Sequence, residues 1–540
     1  MPSFPAVRRG ALVAVVLLLV TGCGGGGPAA RPVFEIEVPG STPPPGPDAP
    51  VTPPPTVPTT PSWDGNAYSL GRTATFGSFP SDLVRRGETL FAVDADQVEG
   101  SGAVIRAIDV AGSAPVPSAQ FRDTRILASD LVDAQGQPAS LATPIGFGFY
   151  LNDMVLASDR LGFVLVNAAG SDGGPVLSNV VAFDPTAGTV LQAVNLAWEI
   201  STGAPWVDSS GATSPSPALR QSGAEALALV PDRDGFQLVV AMTNILVDAP
   251  SYGTIKQRGT LQVWDVVPSS PLPVRARAAA AGWATQALLT QDYNPVALAV
   301  HEVPATRWTP AVQRLLVTLG GTTGYDAQGL LVPVTDASVE VYEATTLSYE
   351  GRFRLGLAGL SGTSPAIGRD AAGHLLGYFP SSVTGEVYAL RLDGIDRSVV
   401  DPAQLAILRG PGNGLPVSLD RAGTPGGNVT GCALSPDGRS LVVAAFGDLY
   451  AFPAPQPGVL SVLALPDDMV SAAGTGATFL PGTSTYATVP GRTLGRLLLR
   501  PGVAGLPDVF VLVGGAIDPL TYLGSGPASV GALTTYGLLR

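Results

Sequence analysis

The segment from Val429 to Phe452, VTGCALSPDGRSLVVAAFGDLYAF, constrains the fold of this chain more than any other stretch. Ser435-Pro436-Asp437-Gly438 is a tight-turn signal, because proline presets φ before aspartate and glycine supplies the positive φ that ends such a turn. The apolar run Leu441 to Ala445 is typical of a strand buried in a sheet, and Leu449 to Phe452 is a further β-prone run. A small antiparallel sheet cannot bury its own two faces, so this segment requires further copies of itself.

The chain supplies approximate copies of that segment. Predicted core strands begin near residues 90, 163, 238, 315, 375, 441 and 485, at spacings of roughly 45 to 75 residues, in the manner of a repeat architecture. The seventh and weakest copy spans about 473 to 520, and long loop insertions are expected at 201–222 and 268–294. Composition agrees with many short strands joined by turns, because the 540 residues include 66 glycines and 51 prolines and only 14% are charged.

Three of the copies carry motifs of a known kind. These are SPDG-x-x-LVVA at Ser435 to Ala444, its variant from Val230 to Ala241, and V-x-FDPTAG-x-V at Val180 to Val190. They resemble the WD40-like and YVTN-type bacterial propellers, and the last also resembles a quinoprotein-type repeat. The resemblance implies an all-β fold, a β-propeller of about seven four-stranded blades, although six or eight blades fit the spacing too. A stack of β-sandwiches is the structural alternative, and it would require linkers that are not visible after residue 62.

A propeller also has to close on itself. Tyr68 to Phe79 and Val530 to Leu539 are both β-prone. We expect them to pair in one shared blade, which would lock the ring against opening.

The first 23 residues have the features of a targeting signal. Arg8-Arg9 is a positive region, and Ala11 to Val20 is an apolar run of ten, too short to span a bilayer. Val20-Thr21-Gly22-Cys23 resembles the lipobox of bacterial lipoproteins. That resemblance implies cleavage before Cys23, attachment of diacylglycerol and an acyl chain such as palmitate to it, and, with Gly24 following, sorting to the outer membrane.

Residues 24 to 62, which follow this signal, are predicted to form an extended tether. Between residues 24 and 62 lie Gly24 to Gly27 and then eleven prolines from Pro39 to Pro61, a composition that favours extended polyproline II over a packed core. The predicted organisation is a signal peptide at 1–22, a lipidated cysteine and disordered linker at 23–62, and the propeller at 63–540.

The charge of the chain bears on its partners. Its net charge is −13, and such a surface repels phosphate backbones, so no nucleic-acid partner is predicted. The membrane, through the N-terminal lipid, and an envelope protein or glycan are the predicted partners.

Few residues suit catalysis or metal binding. The chain has two histidines, His301 and His374, in different predicted blades, and one cysteine besides Cys23, Cys432. His301 follows an apolar strand at the start of a loop, which allows surface exposure, and His374 follows a turn glycine; an ordinary loop or strand-edge histidine is the favoured interpretation of each. Cys432 is expected to be a buried, inert thiol. A zinc site of histidine and cysteine ligands needs more of these residues, so neither catalytic residues, nor a metal, nor a cofactor is predicted.

Neither the aspartate-rich turns nor the tryptophans form a recognisable ligand motif. Asp94 to Gly100 and Asp232 to Gly235 lack the spacing of an EF-hand calcium loop. The six tryptophans do not recur at one blade position. The predicted function is therefore a membrane-anchored, extracytoplasmic propeller lipoprotein that acts as a non-catalytic binding or scaffold module. The alternative is an extracytoplasmic enzyme of lactonase or quinoprotein type.

Overall fold

The computed structural model describes residues 68–538, with gaps. The residues left out inside that range are 76–79, 95–102, 113–114, 140–149, 169–176, 202–205, 208–212, 215–217, 233–234, 247–253, 256, 280–283, 304–310, 326–330, 360–364, 382–385, 394–405, 409–428, 446–458, 474–477, 480–483, 489–492, 500–508 and 515–531. The predicted signal peptide and tether lie outside the described residues.

The segment that constrains the fold forms a hairpin. Strands Val429–Leu434 and Ser440–Ala445 pair antiparallel on either side of the predicted turn. Gly438 has a φ of 70°, and a Cβ there would lie 2.1 Å from the carbonyl oxygen of Arg369, so only glycine fits. The third strand is Val459–Ala464, later than predicted; Leu449 to Phe452 lies outside the described residues.

The described strands form seven sheets of four or five strands, three of five and four of four. We number the sheets 1 to 7 in chain order and count the N-terminal strand Tyr68–Thr75 as the last strand of sheet 7. Sheet 1 contains Pro80–Arg86, Thr89–Asp94, Ala103–Asp109, Val116–Pro117 and Thr124–Ile126; sheet 2 contains Tyr150–Ser158, Leu161–Ala168, Leu177–Asp184 and Thr189–Asn195; sheet 3 contains Ala224–Asp232, Gly235–Met242, Arg258–Val266, Val274–Ala276 and Gln286–Tyr293; and sheet 4 contains Pro295–Val303, Val312–Leu319, Ala337–Glu343 and Ser348–Gly356. Sheet 5 contains Ala366–Arg369, Leu375–Pro380, Val387–Arg391, Ala406–Leu408 and Thr478–Phe479; sheet 6 contains Val429–Leu434, Ser440–Ala445, Val459–Ala464 and Ser484–Thr488; and sheet 7 contains Thr493–Leu499, Val509–Gly514, Ala532–Leu538 and Tyr68–Thr75.

Short elements complete the described structure. They are a 3-10 turn, one five-residue α-helix and four two-stranded ribbons: Ala128–Asp130, Met469–Ala473, Glu199–Ser201 with Ala218–Arg220, Trp206–Val207 with Thr213–Ser214, Ile245–Leu246 with Thr254–Ile255, and Thr323–Tyr325 with Leu331–Pro333.

The sheets are arranged in a ring. The first strands of sheets 1 to 4 contact one another in order, those of sheets 5, 6 and 7 do the same, and the first strand of sheet 7 contacts that of sheet 1. Sheets 4 and 5 share one apolar cluster that contains Leu316 and Phe379. A closed ring of antiparallel sheets is a β-propeller. The all-β propeller fold is therefore confirmed, and the stacked-sandwich alternative is wrong.

The ring closes in sheet 7. The N-terminal strand Tyr68–Thr75 pairs antiparallel with the C-terminal strand Ala532–Leu538, and Thr73 is the Cα partner of Thr534. The two ends of the described chain thus complete one sheet, as predicted from their β-prone sequences.

Sheets 1 to 5 each contribute to two apolar clusters, one on each face, which explains the unbroken apolar runs of their core strands. In Leu161–Ala168, Phe163 and Leu165 enter the cluster shared with sheet 3, whereas Val164 and Val166 enter the cluster shared with sheet 1. Successive side chains point to opposite faces. A strand buried on both faces therefore needs apolar residues at every position rather than at every second one.

Three details of the prediction need correction. Ser484–Thr488, predicted as the core strand of the last copy, is the outer strand of sheet 6, and Val509–Gly514 is a central strand of sheet 7 instead. The predicted loop 268–294 contains two strands that pair with Arg258–Val266. The predicted loop 201–222 contains paired strands of two ribbons. Turn residues identify where a strand begins, but they do not identify its pairing partner.

Two buried aspartates tie neighbouring sheets together. Asp82 of sheet 1 accepts a 2.8 Å hydrogen bond from the backbone N–H of Met154 in sheet 2. Asp153 of sheet 2 accepts a 2.8 Å bond from the N–H of Leu227 in sheet 3 and a 2.9 Å bond from the N–H of Met154. The aspartates are 2% and 4% exposed, so they serve as acceptors for backbone N–H groups that are buried with them.

Asp153→Ala is expected to lower the free energy of unfolding by about 1–3 kcal/mol, because the buried N–H of Leu227 loses its acceptor. The N–H of Met154 keeps its hydrogen bond to Asp82. Asp153→Asn keeps part of the acceptor and should lie in between. The measurement is urea unfolding followed by circular dichroism. Asp159→Ala, on an exposed aspartate of the same sheet, is the control, and an equal loss in both variants would contradict the role of Asp153.

Candidate functional site

The two ends of the ring differ. In an antiparallel sheet, the connections between strands 2 and 3 leave at the same end as those from the last strand to the next sheet. All four described ribbons lie in such connections, two between sheets 2 and 3, one in sheet 3 and one in sheet 4. The four ribbons therefore lie at the same end of the ring, on the side formed by sheets 2 to 4. We call this surface the ribbon face.

The opposite end is built from tight turns that carry ion pairs. Gly87-Glu88 joins the first two strands of sheet 1, and Arg85 Nη2 lies 2.9 Å from Glu88 Oε1. Arg86 pairs with Asp159 in the turn of sheet 2. Arg439 Nε lies 3.0 Å from Asp467 Oδ1. These exposed pairs contribute little to stability, and they give this end a mixed charge.

The sequence predicts His301 at a loop start that allows surface exposure, but the structure buries this side chain. It lies inside strand Pro295–Val303 and is 7% exposed, and neither of its ring nitrogens has a hydrogen-bond partner among the residues that the structure describes. Beside it, Arg314 Nε donates a 2.6 Å hydrogen bond to Glu350 Oε2. Burial and, to a smaller extent, the positive charge of Arg314 lower the pKa of His301 to about 4, so the ring is neutral near pH 7. An extended strand, not a loop start, contains this residue.

Cys432 is buried in strand Val429–Leu434, as its apolar context predicts. Its thiol lies 3.3 Å from the carbonyl oxygen of Tyr378 in sheet 5 and donates to it. Burial raises the thiol pKa to about 12. The protonated thiol packs between sheets 5 and 6 and is a poor nucleophile at neutral pH.

His374 lies beside two carboxylates at the junction of sheets 5 and 6. Its Nδ1 atom lies 3.1 Å from Asp370 Oδ2 and 3.5 Å from Asp468 Oδ1. One donor atom from each of these three residues lies within 4.8 Å of the other two. Asp370 and His374 flank the turn before strand Leu375–Pro380, whereas Asp468 precedes the helix Met469–Ala473 of sheet 6. Sequence reasoning missed this group, because 94 residues separate His374 from Asp468.

A second polar group, also missed, joins sheets 3 and 4. Glu340 is fully buried and accepts hydrogen bonds of 2.8 and 3.1 Å from the backbone N–H groups of Gln291 and Asp292, and one of 2.5 Å from Tyr342 Oη. Asp292 Oδ2 in turn accepts a 2.8 Å bond from Arg352. Burial raises the pKa of Glu340 to about 7, in spite of these hydrogen bonds. The group is internally satisfied and binds strand Gln286–Tyr293 to sheet 4.

The remaining candidates are structural where they are described. Asp232 Oδ2 lies 3.5 Å from Arg277 Nη1 and accepts a 3.1 Å bond from Gln237, so a cation of this chain already neighbours that carboxylate. Asp94 is buried, and residues 95–100 lie outside the described part. The rings of Trp198 and Trp264 pack edge to face, with centroids 6.2 Å apart.

Comparisons with known proteins give a fold likeness only. No protein-family model matches the sequence, and no curated protein matches it. A structure of the Dos1 propeller is 10% identical, with a TM-score of 0.40, and the match covers 87% of this chain and 95% of that one. Kuenenia stuttgartiensis hydrazine synthase is 13% identical, also with a TM-score of 0.40, over 82% of this chain and 94% of that one. Neither likeness bears on function, and the fold is established by the ring of sheets itself.

Proposed function

We propose that this chain is a lipid-anchored, extracytoplasmic β-propeller of the cell envelope that acts as a non-catalytic binding or scaffold module. The motif ending in Cys23 and the proline-rich segment to residue 62 support the anchor and tether. In the described part of the chain, no helix has both the length and the apolarity to cross a membrane. We further propose that each of the seven sheets is one blade.

The ribbon face is the observation that carries the binding role. Loops on a rigid scaffold are where proteins place recognition residues, and here the paired ribbons are concentrated on sheets 2 to 4 at one end. The partner is an envelope protein or a glycan. The enzyme alternative has no observation in its favour: among the described residues His301 and His374 lie in different sheets, and Cys432 is a buried thiol.

The test is crosslinking and affinity capture from intact envelopes. The full chain is compared with a variant in which residues 199–220, 245–255 and 323–333, which contain all four ribbons, are each replaced by a short glycine-serine linker. Arg85→Ser/Glu88→Ser, which alters only the opposite end, is the matched control. We expect the partner set to be lost in the ribbon variant and kept in the control. A partner set that survives ribbon removal would overturn the assignment of the ribbon face.

Cys23→Ala is expected to abolish lipid attachment and to move the protein from the membrane fraction to the soluble fraction. The wild-type protein should begin at a Cys23 that carries acyl chains. These chains should hold it in the membrane fraction, because each buried CH₂ adds about 0.8 kcal/mol to membrane affinity. Mass spectrometry of the N-terminal peptide, together with membrane fractionation, measures both effects. An unmodified Cys23, or equal fractionation of both proteins, would contradict the anchor. An identical partner set for both proteins would argue against a membrane-localised role.

A further inference from the structure

We propose that Asp370, His374 and Asp468 bind one divalent transition-metal cation. This site is independent of the ribbon face and of the proposed binding role. It lies at the junction of sheets 5 and 6, at the end of the ring that carries the tight turns. Its donors are two carboxylate oxygens and one imidazole nitrogen.

The spacing of the donor atoms fits a single cation. Two ligands each about 2.1 Å from a metal are separated by about 3.0 Å at an octahedral angle and about 3.4 Å at a tetrahedral angle. His374 Nδ1 lies 3.1 Å from Asp370 Oδ2 and 3.5 Å from Asp468 Oδ1. Both separations agree with these values without any movement of the backbone. A cation would replace the present contact between Nδ1 and Asp370 Oδ2.

Both carboxylates are already oriented by other hydrogen bonds. Asp370 is 4% exposed, and its Oδ1 and Oδ2 accept bonds of 2.8 and 3.0 Å from the backbone N–H groups of His374 and Met469. Asp468 accepts bonds of 2.9 and 2.6 Å from the N–H and Oγ of Ser471. A carboxylate oxygen that accepts one hydrogen bond keeps a lone pair for a metal. Such outer hydrogen bonds fix the orientation of ligands before the cation arrives.

The donor set selects the class of cation. Imidazole suits zinc, copper, iron and nickel, whereas carboxylates suit manganese and the harder cations. A set of one imidazole and two carboxylates therefore favours a first-row divalent ion over calcium or magnesium. His374 and Asp468 are partly exposed, with side-chain exposures of 26% and 39%, so solvent reaches the site and water can complete the coordination.

The cation would fasten one sheet to the next. Asp370 and His374 belong to sheet 5, whereas Asp468 lies in the connection that follows Val459–Ala464 of sheet 6. The same connection donates to sheet 5 through Met469 and later supplies Thr478–Phe479, which pairs in parallel with Ala406–Leu408. Ala372 N–H also donates to the carbonyl oxygen of Asp467 at 2.8 Å. A metal at this crossing would reinforce contacts that are already in place.

The test titrates the purified, chelator-treated full chain with Zn²⁺, and the competing chelator's absorbance reports the affinity and stoichiometry. Asp468→Asn keeps an oxygen acceptor for Ser471 but removes the charge, and His374→Gln removes the imidazole. Asp467→Asn is the matched control, because Asp467 is the adjacent exposed carboxylate but is not a donor. We expect one zinc per wild-type chain, affinity at least about tenfold weaker in the two donor variants, and an unchanged affinity in the control.

Two further readouts separate a site from surface charge. Co²⁺ in the wild-type protein should give visible absorption bands that His374→Gln loses. Amide hydrogen exchange at Ala372 and Met469 should slow when zinc is added, because both N–H groups lie at the crossing of the two sheets. Zinc binding of equal strength in wild type and His374→Gln would overturn the proposal, as would an affinity that falls equally in Asp467→Asn.

Discussion

Deletion of residues 63–79, which contain the closing strand Tyr68–Thr75, is expected to lower the free energy of unfolding by about 5 kcal/mol. Six residue pairs join this strand to Ala532–Leu538, and each backbone hydrogen bond contributes about 0.5–1.5 kcal/mol. A domain is typically stable by only about 5–15 kcal/mol. The deletion would remove the pairing between the two ends of the chain and leave sheet 7 with three strands. Urea unfolding followed by circular dichroism measures the effect.

The matched control removes residues 28–62, which belong to the predicted tether and lie outside the described structure. That deletion should leave the unfolding midpoint unchanged. If the two deletions had the same effect, the closing strand would not be what holds the ring together.

The second large effect is a pH dependence of the free energy of unfolding, to which two buried groups, Glu340 and His301, contribute with opposite signs. The pKa of Glu340 is raised to about 7 in the folded protein from its ordinary value of 4.5. Between these values the folded state holds a proton that the unfolded state has lost. Its contribution to stability is therefore full below pH 4.5 and falls by about 3 kcal/mol as the pH rises to 7.

His301 acts in the opposite direction. Its pKa is lowered to about 4 from 6.5, so between these values the unfolded state binds the extra proton. Stability from this group is full above pH 6.5 and falls by about 3 kcal/mol as the pH drops to 4. Between pH 4.5 and 6.5 the two contributions have opposite slopes and nearly cancel.

Single substitutions should separate the two contributions. Glu340→Gln is expected to gain stability relative to wild type as the pH rises from 4.5 to 7. His301→Phe is expected to gain it as the pH falls from 6.5 to 4. Each shift is about 3 kcal/mol, and the double variant should show both shifts added together. Urea unfolding at half-unit pH steps gives these differences. A difference from wild type that stays constant with pH in either variant would contradict the burial of that group.

The sequence predicted the fold because its local signals agree with one another. The Ser435 to Gly438 turn, the apolar run after it and the approximate copies of both require a sheet buried on two faces. The pairing of the two chain ends followed from the need of any ring to close. These features depend on turn geometry and burial, which residues close in sequence determine.

Strand pairing across insertions could not be predicted in the same way. Ser484–Thr488 lies where the last copy was predicted to have its core strand, yet it is the outer strand of sheet 6. Thr478–Phe479 pairs with sheet 5, although the strands before and after it belong to sheet 6. An apolar run shows that a strand is buried, but the length of the connection leaves its partner open.

The candidate sites were even less visible in the sequence. In the sequence, His301 stands next to Glu302 and is typical of the start of a loop. In the structure the His301 side chain is buried beside Arg314 of the neighbouring strand, which pairs with Glu350 two strands beyond its own. Asp370 and His374 could have been recognised as a local pair across a glycine turn. Nothing in the sequence places Asp468 beside them, because the two sheets are brought together only by the ring.

The most direct test of the closed ring is a disulfide between its two ends. Thr73 and Thr534 are Cα partners in sheet 7, and partners in adjacent antiparallel strands lie about 4.5–5.5 Å apart, within the range that a disulfide spans. The double variant Thr73→Cys/Thr534→Cys should form this bond quantitatively on oxidation, as mass spectrometry of the linked peptides would show. Thr73→Cys/Thr535→Cys, one residue out of register, should not. Absence of the bond in the first variant, or equal bonding in both, would contradict a ring closed by its first and last strands.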